Sequence, residues 1–196
     1  MWSDTSTPLS LMRKDVAKFI ADRDWGRYHA PVNVASAGAV EAGELLELFQ
    51  WRRSGDPVPE DVVMAAGPEL ADVLHFTFCL TNAAELELPS DDRTFSQIMA
   101  ETGPRELSPK EAAEEVMVAA SFVLMAARAS SITREIAESL GEGGPDDAIA
   151  ASVTLLLEAL AKCARSMELD LSAELYAKNR LNEERFPVGT MPDVGY

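Results

Sequence analysis

A chain of 196 residues with 33 acidic against 17 basic side chains carries a formal charge of -16. That balance argues against nucleic acid as a partner, because such binding depends on Lys and Arg displacing counterions from the phosphate backbone. An acidic protein that handles phosphates needs a cation between them and itself. The length allows one substantial core or two small ones, burying roughly 70% of the extended surface on folding, so no covalent staple is required.

Only Cys79 and Cys163 are present, both inside apolar helical stretches, which reads as two buried thiols in a reducing cytoplasm rather than a disulfide. Met1 to Thr7 is polar and lacks the basic-then-apolar layout of a secretory signal. No uninterrupted apolar run of about 18 residues occurs, so the expectation is a cytoplasmic protein with no membrane partner.

The text is rich in Ala, Leu, Glu and Met and has no β-branched runs of period two, which predicts an all-α fold. Leu9 to Arg23 places Leu9, Leu11, Met12, Val16, Phe19 and Ile20 largely on one stripe, giving a first amphipathic helix. Trp25 to Pro31 is turn-like. Asn33 is positioned to cap a second helix running to about Trp51, with Val40, Leu45, Leu48 and Phe49 as core candidates. Ser54 to Pro59 breaks it. A third helix starts either near Pro59 to Asp61 or after Gly67, with Pro68 in its first turn, and runs through Leu70, Leu74, Phe78 and Leu80.

Pro89 to Ser108 turns polar and predicts a short helix between loops, the best internal boundary. A long helix follows from Ser108 to about Leu140, stopped by Gly141, Gly143, Gly144 and Pro145. Another spans Asp146 to about Glu168, and the last spans Ser172 to Arg185. The second half repeats the order of the first, and the endings compare directly, Glu85-Leu86-Glu87-Leu88 against Glu168-Leu169-Asp170-Leu171. The expectation is a tandem duplication, with a first unit at 1–88, a connector at 89–107, a second unit at 108–187 and a tail at 188–196.

Glu41-Ala42-Gly43-Glu44 sets two carboxylates three apart on one helical face, and Glu69-Leu70-Ala71-Asp72 repeats the arrangement on another helix. An isolated pair of this kind is ordinarily a solvated face. Here Gly43 costs about 1 kcal/mol of helix propensity. Ala42 and Ala71 keep the neighbours small, as close helix contact requires. Packed antiparallel, the two helices aim four acids at one spot. Such a group needs a cation to stay ionised, and hard oxygen ligands select magnesium or manganese. Glu47 continues the first face as a further ligand, a group that supports the ligands from behind, or the base for the attacking water.

At these residues the chain resembles the MazG-like, all-α nucleoside triphosphate pyrophosphatases, whose mark is Glu-x-x-Glu, a spacer, then Glu-x-x-Asp. Within that family it looks most like the dCTP-cleaving branch. The resemblance extends to Arg23-Asp24-Trp25, Tyr28-His29, Pro31, Asn33, Gly43-Glu44-Leu45, Glu47 to Trp51, and Glu69 to Leu74. It resumes at Lys178, Asn182, Arg185, Phe186 and Pro187.

The resemblance implies that Glu41, Glu44, Glu69 and Asp72 bind magnesium. Trp25, His29, Trp51 and Asn182 then contact the nucleotide, and Lys178 or Arg185 adds positive charge at its phosphates. Glu47, or Glu44, is the candidate general base for attack of water on the α-phosphorus, giving a monophosphate and pyrophosphate. Related enzymes are tetramers, so a pseudo-dimeric chain implies a homodimer.

Two departures bear on base preference: Val16 stands where the branch has a pocket His, and Phe76 where it has a Tyr. His75, one turn past Asp72, is a candidate replacement, although a satisfied core histidine is the simpler reading. In the second unit Ser152 and Leu155 occupy the places of the second acid pair, while Glu135 and Glu138 lack acid partners and read as solvated. One active site per chain is therefore expected. The rival expectations are cleavage of dUTP or non-standard nucleotides, and an inactive helical interaction protein.

Overall fold

A computed structural model describes residues 1–102, 106–140 and 147–189, the side chains of 133–140 excepted. Its helices are α1 (Leu9–Asp22), α2 (Pro31–Glu47), α3 (Glu60–Ala83), α4 (Phe95–Glu101), α5 (Pro109–Leu140), α6 (Asp147–Ser166) and α7 (Leu171–Arg185), with a 3₁₀ turn at Gly26–Tyr28. No strand occurs among the described residues, so the protein is all-α.

α1 forms where the apolar stripe predicts it and buries Leu9, Met12, Val16 and Phe19. α2 begins earlier than Asn33: Ala30 is the N-cap and Pro31 takes the first turn, where its missing N–H costs nothing. It also ends at Glu47 rather than Trp51, because the chain tightens into turns, Phe49 N–H donating to Leu46 O and Arg52 N–H to Phe49 O. α3 starts at Glu60, the earlier of the two expected points, and Pro68 lies inside it. The turn before the Glu69–Asp72 pair therefore lacks one helix hydrogen bond.

α4 is the short helix expected in the polar stretch, and Thr94 and Gln97 form a reciprocal capping box at its start. α5, α6 and α7 follow the expected bounds to within two residues. The Gly/Pro break at 141–145 and the side chains of Glu135 and Glu138 lie outside the described residues.

α2 packs along both α3 and α5, α5 along α6, and α3 against α7 and α1. One continuous core takes in Leu45 and Phe49 of α2, Leu74 and Phe78 of α3, Val116 of α5 and Leu157 of α6. Cys79 and Cys163 are free and buried in it, and burial pushes the Cys163 thiol up to about 12. By length and composition alone, α3 and the Pro109–Ile132 part of α5 could cross a membrane. The apolar stretch of α3 is 56% buried within the protein and carries an acid pair, whereas that of α5 is 28% buried.

Candidate metal and nucleotide site

Gly38 of α2 faces Phe76 of α3, where an added Cβ would stand 3.4 Å from the Phe76 Cβ. One turn later Glu41 meets Glu69 and Asp72, which lie earlier on α3, so the two helices run antiparallel. Ala42 and Ala71 are fully buried, which lets the backbones approach closely. Beside Gly43 the space is open, so packing within the chain does not require a glycine there.

Carboxylate oxygens of Glu41, Glu69 and Asp72 lie within 4.8 Å of one another, each group half-buried. Glu44 is exposed at the rim, close enough for its charge to act on all three. Burial, then the neighbouring Asp72, Glu44 and Glu69 charges, raise the Glu41 carboxyl to about 7. Burial likewise raises Glu69 and Asp72, with Lys178 opposing the shift at each. The donor set is all oxygen, with no Cys or His among the three, which fits magnesium or manganese and disfavours zinc.

Lys178 of α7 donates to Asp72, and Arg185 acts on Asp72 through its charge. Trp25 follows the left-handed Asp24 at the end of α1 and stands edge-on to Phe19, at 5.7 Å, and to Phe186, at 5.5 Å. His29 is half-buried and lines an open cleft of about 470 Å³ with Ala17, Ile20, Cys79 and Asn82, and burial lowers its pKa. Asn182 is half-buried, and its backbone carbonyl accepts from Phe186 N–H. Glu47 and Trp51 are exposed; Trp51, at 90%, lies past the end of α2 and makes no ring contact among the described residues.

Sequence reasoning missed Asp15 and Asn179. Asn179 is buried, its amide nitrogen donating to Asp15 Oδ2 at 3.2 Å and its oxygen facing His75 Nδ1 at 3.2 Å. The only textual signal was a polar residue on the inner face of α7, one position from Lys178. Asp4 was missed as well: it accepts from Leu171 N–H, Ser172 N–H and Ser172 Oγ, and so fixes the start of the helix that carries Lys178.

Compared with known proteins, the chain is 39% identical over 85 residues to dCTP pyrophosphatase 1 of Homo sapiens, covering 41% of this chain and 50% of that protein. It is 37% identical over 93 residues to dCTP pyrophosphatase 1 of Bos taurus, covering 45% of this chain and 55% of that protein. The chain is similar to the dCTP pyrophosphatases. That bears out the resemblance read from the acid motifs. The chain spans about half the length of the curated relatives it matches. No family model and no solved structure matches it.

Proposed function

We propose that this chain is a magnesium-dependent nucleoside triphosphate pyrophosphohydrolase of the MazG-like type, cleaving dCTP or a close analogue to the monophosphate and pyrophosphate. The observation that carries this reading is the convergence of Glu41, Glu69 and Asp72 from two helices, with ligand atoms within 4.8 Å and Glu44 at the rim. The named activity of the relatives supports the substrate class.

Glu41, Glu44, Glu69 and Asp72 would hold the ion. Bound there, magnesium neutralises phosphate charge and makes the attacking water more acidic. Lys178, freed from Asp72, and Arg185 supply positive charge to the leaving phosphates. Glu47 or Glu44 accepts the proton of the water that attacks the α-phosphorus. Trp25, His29, Trp51 and Asn182 contact the nucleotide.

The chain reads as two fused units, 1–88 and 108–187, linked by 89–107, with a tail at 188–196. Supporting this, α1 packs on α3 as α4 packs on α6, and α2 pairs with α3 as α5 pairs with α6. α3 and α6 also end alike, Glu85 and Glu168 taking φ of 51° and 58° while Leu86 and Leu169 donate back to Thr81 O and Ala164 O. α2 against α5 then corresponds to a dimer contact made within one chain. A homodimer of such chains in the cytoplasm, with no nucleic-acid or membrane partner, completes the reading; light scattering at twice 21.2 kDa tests the assembly.

The test of function is pyrophosphate release from a panel of deoxynucleoside and ribonucleoside triphosphates, including dUTP and non-standard bases, with and without magnesium. Magnesium-dependent release is expected, with Glu44→Gln lowering it roughly 10²-fold or more, as for removal of a group that stabilises the transition state. No release from any nucleotide, together with no metal binding by calorimetry, would leave an inactive helical protein.

A further inference from the structure

Asp72, His75, Cys79 and Asn82 are spaced three, four and three apart on α3 and so form one stripe along the helix. Asp72 belongs to the acid cluster, and Cys79 and Asn82 line the cleft that His29 shares. His75 lies between, about 5 Å of helix rise beyond Asp72. On the pyrophosphohydrolase reading, a nucleotide whose phosphates engage the acids would lay its sugar and base along this stripe.

His75 is 6% exposed, and its ring stands edge-on to Phe19 at 5.9 Å and to Phe76 at 5.7 Å. Its hydrogen is fixed by what lies behind it. The Asp15 carboxylate, paired with Arg180 at 3.3 Å, only accepts, so Asn179 must turn its amide nitrogen toward Asp15. The Asn179 oxygen then faces His75 Nδ1, and since that oxygen only accepts, Nδ1 carries the hydrogen. Burial lowers the His75 pKa to about 4, so the ring is neutral at pH 7 and Nε2 holds a bare lone pair. Nε2 has no hydrogen-bond partner among the described residues. Nε2 is not one of the described side-chain atoms that are both sealed from solvent and unpaired, so its lone pair is open to solvent, where a ligand donor can take the place of water.

We propose that His75 Nε2 reads the nucleobase as a hydrogen-bond acceptor, so that the site favours bases presenting an exocyclic amino group over bases presenting a carbonyl oxygen at that position. Cytosine N4 and adenine N6 are donors, whereas uracil and thymine O4 and guanine O6 would set one lone pair against another. This gives a specific role to the residue beside Phe76 on a chain that has Val16 and Phe76 at the two positions where the related branch carries polar pocket groups. It rests on the pyrophosphohydrolase reading for the placement of the phosphates.

Two measurements test it. Nitrogen-15 NMR of His75 in the full chain should show a protonated Nδ1 and a bare Nε2. Addition of dCMP should shift Nε2, and addition of dUMP should leave it in place. In steady-state kinetics the wild type should prefer dCTP over dUTP by roughly 10²-fold or more in kcat/KM, and His75→Leu should reduce that ratio at least tenfold.

A hydrogen on Nε2, equal shifts with both monophosphates, or an unchanged ratio in a folded His75→Leu protein would overturn the proposal. If His75→Leu does not fold, the wild-type NMR decides alone. If no nucleotide releases pyrophosphate, the reaction assigned above is wrong, and the dCMP and dUMP titrations still decide whether His75 reads an amino group.

Discussion

Lys178 donates to the carboxylate of Asp72, joining α7 to α3 across 106 residues of sequence. The two side chains are only 22% and 16% exposed, and among the described residues this is the one salt bridge made by Glu41, Glu44, Glu69 or Asp72. Without metal, the Lys178 amine serves as the counter-cation of the site. A divalent ion held by Asp72 would compete with that amine for the charge of the carboxylate.

Lys178→Met should therefore destabilise the metal-free protein by about 1–2 kcal/mol, the loss expected when a partly buried acid is left without its cation. At this chain length that corresponds to a melting temperature lower by about 2–8 °C. In excess magnesium the loss should shrink, because the ion takes over the neutralising role. Thermal melts in chelator and in magnesium distinguish this from a packing role, which would give equal losses in both.

Glu41 gives the metal-free protein a definite pH dependence. Burial and the adjacent acids raise its carboxyl from 4.5 to about 7, so between those values the folded state binds more protons than the unfolded chain. Its contribution to stability is full below about 4.5 and is lost as pH rises through about 7. His75 works the opposite way: its pKa falls from 6.5 to about 4, and its contribution is full above 6.5 and lost as pH falls through about 4. The informative quantity is thus a difference. Relative to wild type in chelator, Glu41→Gln should gain stability progressively from pH 5 to 8, and magnesium should abolish that trend in the wild type. A constant offset between the two melting curves would mean that Glu41 does not titrate in this window.

Helix identity was legible because Leu9, Met12, Val16 and Phe19 repeat at helical spacing, and because Gly, Pro and polar clusters punctuate the text between elements. The acids were legible because Glu41/Glu44 and Glu69/Asp72 fix two faces by spacing alone, and antiparallel packing then brings Glu41, Glu69 and Asp72 together while Glu44 stays exposed at the rim. Legibility failed where tertiary contacts decide. Asn33 has the chemistry of a cap, yet Pro31 takes the first turn and α2 starts there. Pro68 has the chemistry of a helix start, yet packing carries α3 straight through it. Asp15, Asn179 and His75 come from three helices, and nothing in the local spacing of any one of them predicts the hydrogen-bonded chain they make.

Trp51 is 90% exposed beyond α2, so its removal should leave the fold untouched. Trp51→Ala is expected to change unfolding free energy by less than about 0.5 kcal/mol, as for surface positions without special contacts. If Trp51 stacks on the nucleotide, KM should rise roughly tenfold, consistent with about 1–3 kcal/mol for a stacked base. Chemical denaturation and steady-state kinetics on the same preparation check both halves. Unchanged kinetics would remove Trp51 from the site without touching the acid cluster.

The start of α7 is held from a distance. Asp170 is its N-cap, accepting from Ala173 N–H, and Asp4 accepts in addition from Leu171 N–H, Ser172 N–H and Ser172 Oγ. Asp4 N–H closes the arrangement onto Asp170 Oδ1 at 3.0 Å, and Trp2 stands edge-on to Tyr176 at 5.3 Å. The N-terminal segment thereby holds the helix that bears Lys178 and Asn179. Asp4→Ala should cost about 1–2 kcal/mol, the range for losing a cap. Because Lys178 and Asn179 lie two turns further along, the variant should also loosen the site. The expected sign is faster amide exchange through the first two turns of α7 and a kcat reduced several-fold, with the acids themselves unaltered. Asp4→Asn keeps one acceptor oxygen and should recover part of both effects. If Asp4→Ala lowers stability but leaves exchange in α7 and kcat as in the wild type, the clamp holds the N-terminus alone and does not position the site.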